Sequence, residues 1–337
     1  MGAALSIKQF LEAAGAGEID TVRHALSKSG STGVDLIGVR DEVDRTALWL
    51  ACAAGHVEMA KVLLDAGSDV GAKTNAKGEL VLAGETPLHA ASKGGHTACV
   101  NLLLDRGAYI DARDARGITP LYVASFKGHG TTVHVLLERH ADLSLARDDG
   151  ATALHVACKG GSVDCIVALL QHGACGKTLM RGKTSPLWLA CAYRNAACVK
   201  ALITRGPLSD SALELDSVTE TGQTALFAAC VERCDQAVAY LLEAGARVDI
   251  PEASGCFPIH AACRSGSTDC VRLLLEHGAN PDLLYRGRTA LEIAEQYGRF
   301  DAVQVMKKRR QMSSAEMSAA PMCAVRVEKF TSTRGIT

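Results

Sequence analysis

Apolar positions recur along this chain in a unit much longer than a helical turn or a strand pleat. Each unit opens on Thr, or a substitute for it, at positions 46, 86, 119, 152, 185, 224, 257 and 289. From Thr86 through Thr119 and Thr152 to Ser185 the spacing is 33 residues each time. A small residue follows five positions later, at Ala51, Ala91, Ala124, Ala157, Ala190, Ala229, Ala262 and Ala294. A Leu pair follows further on, as in Leu63-Leu64, Leu103-Leu104, Leu136-Leu137, Leu169-Leu170, Leu241-Leu242 and Leu274-Leu275. With Val62, Val100, Val135, Val199 or Val271 beside it, that pair forms the apolar stripe of a second helix, while the small residues suit a short, closely packed first one. One such unit cannot bury its stripe alone, so the fixed period predicts stacked helical repeats.

The punctuation agrees. Thr accepts hydrogen bonds from first-turn amides, and Pro87, Pro120, Pro186 and Pro258 stand at the first helical position. Gly67, Gly107, Gly173, Gly206, Gly245 and Gly278 are placed to close the second helix in a left-handed conformation, with His140 in the equivalent slot of one unit. Between the two helices stand Gly55, Gly95, Gly128, Gly161, Gly266 and Gly298, replaced by Arg194 and Arg233 in two units. That replacement reads either as local specialisation of 185–235 or as drift.

The runs Thr86-Pro87-Leu88-His89 and Thr119-Pro120-Leu121-Tyr122 resemble the signature of the ankyrin repeat family, as do the Gly55-His56, Gly95-His96 and Gly128-His129 turns. The resemblance extends from about residue 6 to about residue 310. It implies an all-α ankyrin-repeat solenoid of helix–turn–helix repeats with β-hairpin fingers, about nine units including caps. It also implies a protein that binds other proteins. The expected organisation is an N-terminal cap repeat and loop over 1–43, a repeat array over 44–311 and a disordered tail over 312–337. Two spacings exceed the period, placing insertions near 74–83 and 207–218. Insertions in such arrays map to loops on one face, often the binding face; a tolerated surface loop is the alternative.

Composition narrows the reading. The chain has 337 residues, is 48% hydrophobic but only 4% aromatic, and carries a net charge of −1. Few aromatics suit small-residue helix packing, and neutrality gives no pull toward nucleic acid. No apolar run reaches membrane-spanning length, and no hydrophobic leader is visible, so a soluble, cytoplasmic protein is expected. Nuclear access would follow if Lys307-Lys308-Arg309-Arg310 is an import signal; the same run is favourable charge at a helix C-terminus. Of 13 cysteines, Cys52, Cys158, Cys191, Cys230 and Cys263 share one slot of the repeat, and Cys99, Cys165, Cys198 and Cys270 share another. They read as buried free thiols acting as small hydrophobes, and the close pairs of a zinc site are missing. Cys323 is the thiol expected to be exposed.

Neither a nucleophile motif nor a phosphate loop nor HExxH occurs, so catalytic, cofactor and metal residues are expected to be absent. His89, His155 and His260 occupy the signature slot and read as structural. In the family, contacts come from finger tips and the exposed end of the first helix. By register those positions are Lys93, Phe126, Lys127, Lys159, Tyr193 and Arg264 on the helices. On the fingers they are Arg113, Arg116, Asp148, Asp149, Arg181, Glu220 and Arg286, and Arg194 stands beside them. The centre of this face is basic, which suits an acidic or phosphorylated segment of a protein partner; an ordinary solvated face is the alternative. The resulting expectation is a monomeric, non-enzymatic adaptor or scaffold. The alternatives are a substrate-recognition subunit of a ubiquitin ligase, for which the tail looks too short and polar, and a regulatory subunit or inhibitor of an enzyme. Met1-Gly2-Ala3-Ala4-Leu5-Ser6 fits a myristoylation pattern at Gly2, which would give weak membrane attachment; Ser6 with Gln9 also fits a helix capping box.

Overall fold

A computed structural model describes residues 6–32, 36–75, 83–205 and 214–311. Among the described residues the chain forms nine antiparallel helix pairs and no strand. The pairs are α1 (Ile7–Ala16) with α2 (Ile19–Thr32), α3 (Ala47–Ala54) with α4 (Val57–Asp65), and α5 (Pro87–Gly94) with α6 (Thr97–Asp105). Next come α7 (Pro120–Lys127) with α8 (Gly130–Glu138), α9 (Ala153–Gly160) with α10 (Val163–Gln171), and α11 (Pro186–Ala192) with α12 (Ala196–Arg205). The last are α13 (Ala225–Val231) with α14 (Asp235–Glu243), α15 (Pro258–Ser265) with α16 (Thr268–Glu276), and α17 (Ala290–Gln296) with α18 (Phe300–Gln311). Each odd-numbered helix packs on the odd-numbered helices before and after it, and each even-numbered helix does the same. The chain is therefore a two-layered all-α solenoid.

The core runs unbroken from Phe10 to Met306. It is built from the alanines of the first helices and the Leu stripes of the second, with Leu63, Leu103, Leu136, Leu169 and Leu274 wholly buried. The nine cysteines of the two repeat slots are buried in it, and burial pushes Cys263 up to about 12 and Cys198 to about 11. Cys234 and Cys256 are buried as well, whereas Cys175 is exposed. Cys323 lies outside the described residues.

Helix starts follow the expected chemistry with two differences. The side chains of Thr46, Thr86, Thr119, Ser185, Thr224 and Thr289 accept from the amide three residues on. At Thr152 the amide and hydroxyl both meet His155 Nδ1, at 3.2 and 2.9 Å. Phe257 has no acceptor on its side chain, so only its amide is satisfied, by His260 Nδ1 at 3.3 Å. Ser6 and Gln9 close the N-terminal capping box; Gly2 lies outside the described residues.

The three signature histidines span repeats. Nε2 of His89, His155 and His260 reaches the carbonyls of Ile118, Thr184 and Leu283 at 3.0, 3.2 and 3.0 Å. Nε2 therefore donates and Nδ1 accepts. A second set of bonds ties the ends of several first helices to the following repeat. His96 Nε2 meets Ala53 O at 3.1 Å, His129 Nε2 meets Lys93 O at 3.0 Å, and Asn195 Nδ2 donates to Cys158 O at 2.8 Å. These partners satisfy carbonyls that a helix end otherwise leaves open.

Between pairs the chain makes tight fingers. The resemblance implies β-hairpins, but only isolated bridges form among the described residues, such as Met180 with Thr184 and Tyr285 with Arg288. The arms are too short for a ladder of their own. The fingers bond instead to one another. Ala115 N donates to Ala83 O at 2.8 Å, Asp148 N to Arg116 O at 3.2 Å, and Arg181 N to Asp149 O at 2.7 Å. Glu220 N then donates to Gly182 O, and Ala253 N to Thr221 O, both at 2.9 Å. The expected insertions lie partly outside the described residues, at 76–82 and 206–213; the tail after 311 lies wholly outside. The basic run 307–310 continues α18, where Lys307 pairs with Glu295 at 3.0 Å and Arg310 pairs with Asp282.

Candidate functional site

The first helices and the fingers share one face of the stack, and this face collects most of the residues singled out by register. Lys93, Lys127, Lys159 and Arg264 sit in or at the last turns of α5, α7, α9 and α15 and are exposed. Their positive charge complements the helix C-terminus. Phe126 is 47% exposed and Tyr193 is 49% exposed, high for large aromatics.

The side chains are arranged in pairs. The Lys127 ammonium lies 5.6 Å from the centre of the Phe126 ring. The Lys159 ammonium lies 5.1 Å from the Tyr193 ring of the next repeat. These are cation–π distances, and they present a charge and an apolar surface at one spot. Lys93 differs: its Nζ stands 3.7 Å from Oε1 of Glu85. Burial raises the Glu85 carboxyl above its usual range, an effect opposed by the Lys93 charge. Oε2 of Glu85 and Oδ2 of the neighbouring Asp114 are buried without a hydrogen-bond partner among the described residues.

The fingers contribute less uniformly. The Arg113 guanidinium donates to Ala146 O at 2.9 Å, tying its finger to the next. Arg116 and Arg181 are exposed, and their backbones belong to the finger-to-finger bonds. Asp148 and Glu220 are exposed at equivalent turns, whereas Asp149 is half-buried and pairs with Arg147 at 3.2 Å. Arg194 lies elsewhere, in the turn between α11 and α12 at a φ of 61°. Arg286 closes the last finger at a φ of 52°.

Register missed two features. Arg45 stacks over Trp49 at 5.4 Å, extending the cation–π pattern toward the N-terminal end. Its signal was an aromatic in the slot that His fills elsewhere. The second is a cavity of about 320 Å³ between the last two fingers, lined in part by Arg264, Tyr285, Arg286 and Tyr297. No spacing in the sequence announces it, because it arises where neighbouring fingers fail to join.

Among the described residues no group of His, Cys, Asp and Glu is placed to hold a metal ion. Nor is any helix there long and apolar enough to cross a membrane. The signature histidines are poor acid–base groups, since burial pulls His155 down to about 4 and lowers His89 and His260.

Comparison with known proteins agrees with the geometry. A family model of three ankyrin repeats matches residues 71–147, 111–180, 131–210, 175–252 and 248–314, and a single-repeat model matches 44–75. The human transient receptor potential cation channel subfamily A member 1 is 32% identical over 107 residues, 29% of this chain and 10% of that protein. The Arabidopsis thaliana putative E3 ubiquitin-protein ligase XBAT34 is 39% identical over 98 residues, 28% of this chain and 26% of that protein. The mouse B-cell lymphoma 3 protein homolog is 35% identical over 100 residues, 29% of this chain and 22% of that protein. The matched segments thus span between a tenth and about a quarter of these relatives, and what is shared is the repeat. With paired helices, signature histidines and family matches running from 44 to 314, the chain belongs to the ankyrin repeat family.

Proposed function

We propose that this chain is a non-enzymatic adaptor or scaffold that receives an acidic or phosphorylated segment of a partner protein on the concave face of repeats three to six. The observation that carries the reading is the pairing of exposed aromatics with lysines, Phe126 with Lys127 and Tyr193 with Lys159. Aromatic and cationic side chains are the common anchors of interfaces. Two pairs on one face offer apolar contact and positive charge in alternation. Arg113, Arg116 and Arg181 add charge along the fingers. The face is held by the inter-repeat bonds, so little ordering is needed on binding. The protein acts as a monomer in the cytoplasm, with no nucleic-acid partner.

An affinity capture from native lysate, followed by binding measured with the purified partner, tests this. The comparison variant carries Lys127→Glu, Lys159→Glu and Lys93→Gln; Lys93 is neutralised and not reversed because Glu85 lies beside it. A partner lost only by the variant is the expected result. Unchanged affinity for every captured partner overturns the reading and moves attention to the insertions.

A second reading is a substrate-recognition subunit of a ubiquitin ligase, favoured by the match to a protein described as a putative E3 ligase. Co-purification of ligase subunits would support it. Regulation or inhibition of an enzyme would use the same binding face.

A further inference from the structure

The finger-to-finger bonding stops before the end of the stack. Backbone bonds link successive fingers from Ala83 to Ala253, but among the described residues none joins the turn at 252–256 to the last finger at 285–288. The hydrogen bond between them is a long side-chain one, from Ser254 Oγ to the Tyr285 hydroxyl at 3.4 Å. The gap is the cavity of about 320 Å³. Its walls are the rings of Tyr285 and Tyr297, His260 and Ile293 lie within it, and Arg264 and Arg286 line it.

We propose that this cavity receives a phosphotyrosine side chain of a partner protein. The proposal rests on the reading of the finger-bearing face as the binding surface, but it uses other residues than the central lysines. Arg264 and Arg286 form no ion pair among the described residues, and both act on the Cys256 thiol at the cavity floor. The nearby carboxylates are held by partners of their own, one of them by an ion pair. Glu292 accepts from Thr289 N at 2.7 Å and Thr289 Oγ1 at 2.9 Å, Glu252 accepts from Ser254, and Glu295 pairs with Lys307 at 3.0 Å. Arg288 donates to Gln296 at the rim.

Among the described residues no carboxylate lines the cavity, although the Glu252 charge acts on Cys256 against the two arginines. Burial holds Cys256 as a thiol, pushed up to about 11, and lowers His260 so that it is a neutral imidazole near pH 7. The rings supply the rest of the match. The Tyr285 ring has the Arg286 guanidinium 5.2 Å from its centre and the His260 ring 5.8 Å away, tilted by 33°. Tyr297 is 49% exposed on the other side. An incoming phenyl ring finds aromatic and aliphatic surface there. Its phosphate finds two guanidinium groups able to bind it in bidentate fashion. Phosphoserine carries its phosphate too close to the main chain to use the rings. The left-handed φ of Arg286 (52°), where glycine would be relaxed, keeps a guanidinium at the finger tip at some conformational cost.

The test is fluorescence anisotropy on the full chain with a fluorescein-labelled pentapeptide, Ala-Ala-phosphotyrosine-Ala-Ala. Its unphosphorylated and phosphoserine counterparts are compared directly, and inorganic phosphate and phenyl phosphate serve as competitors. The phosphotyrosine peptide is expected to bind at least about ten-fold more tightly than either counterpart, the size of a charge-assisted contact. Phenyl phosphate is expected to displace it at lower concentration than inorganic phosphate. Arg264→Gln with Arg286→Gly, the latter compatible with the turn, is expected to remove the preference without lowering the unfolding midpoint. The Lys127→Glu, Lys159→Glu variant is expected to retain it, so failure of the central-face reading and failure of this one are separate outcomes. Equal binding of the three peptides, equal competition by the two phosphates, or an unaltered preference in the arginine variant would overturn the proposal.

Discussion

The His129 ring fills the space into which a Cβ on Gly95 would project, leaving 2.5 Å between that atom and Nδ1. Gly95 is therefore required twice, by its φ of 71° and by the histidine of the following repeat. Gly128 has a φ of 79°, but its Cβ would meet only Ser162, at 3.6 Å. Both Gly→Ala changes incur the left-handed penalty, about 1–2 kcal/mol. Gly95→Ala adds an overpacking cost of about 1–3 kcal/mol. Urea denaturation of the two variants checks this: Gly95→Ala is expected to lose clearly more stability, and equal losses would refute the steric account.

The signature histidines make stability fall in mild acid. His155 is held near 4 when folded, by burial, and titrates near 6.5 when unfolded. Between those values the unfolded chain binds the extra proton. The stabilisation present at neutral pH is thus lost as pH falls through that window and levels off below it. The full effect for this one residue is about 3 kcal/mol. His89 and His260 act in the same direction. Unfolding midpoints at pH 7 and pH 5 should differ less in His155→Gln than in the parent; the same pH slope in both would show that the histidine titrates normally.

Glu85 opposes that trend. Its folded carboxyl is raised by burial, so its favourable contribution exists in acid and disappears as pH rises through the folded value. At neutral pH it is a buried carboxylate with one oxygen unpartnered among the described residues. Glu85→Gln is expected to raise the unfolding midpoint at pH 7 and to have less effect near pH 4. A lower midpoint at pH 7 would mean that attraction to Lys93 outweighs desolvation.

Thiol chemistry offers a further check. Cys175 is exposed while the other described cysteines are buried, and burial strongly raises the titration of Cys158, Cys191 and Cys230. In a Cys323→Ser background, an aromatic disulfide reagent should modify one thiol of the native protein quickly and the rest only on unfolding. Fast reaction of several thiols would contradict the burial.

Helices, caps and core slots were readable in the sequence because the repeat samples each position eight or nine times. Nine cysteines falling in two slots could be recognised as core, and His140 as a helix terminator, on that ground. Arg194 and Arg233 break the glycine pattern for a reason that becomes visible only in the stack. By register they face Cys234 and Ser267, which leave room where His96 or His129 would not. The pairing of Lys159 with Tyr193 depends on how successive repeats are rotated against one another, which periodicity does not encode, and that of Lys93 with Glu85 depends on how the finger meets the first helix of its own repeat. Cys175 falls outside both cysteine slots, so the repeat said nothing of its exposure.

Among the described residues, eleven buried thiols are distributed from Cys52 to Cys270. In a stack whose units hold only their neighbours, opening can begin at one end and halt part-way. Each thiol then acts as a fixed mile-marker along the chain. Brief alkylation followed by peptide mapping would show how far a given opening has travelled and from which end it began, without any label being introduced.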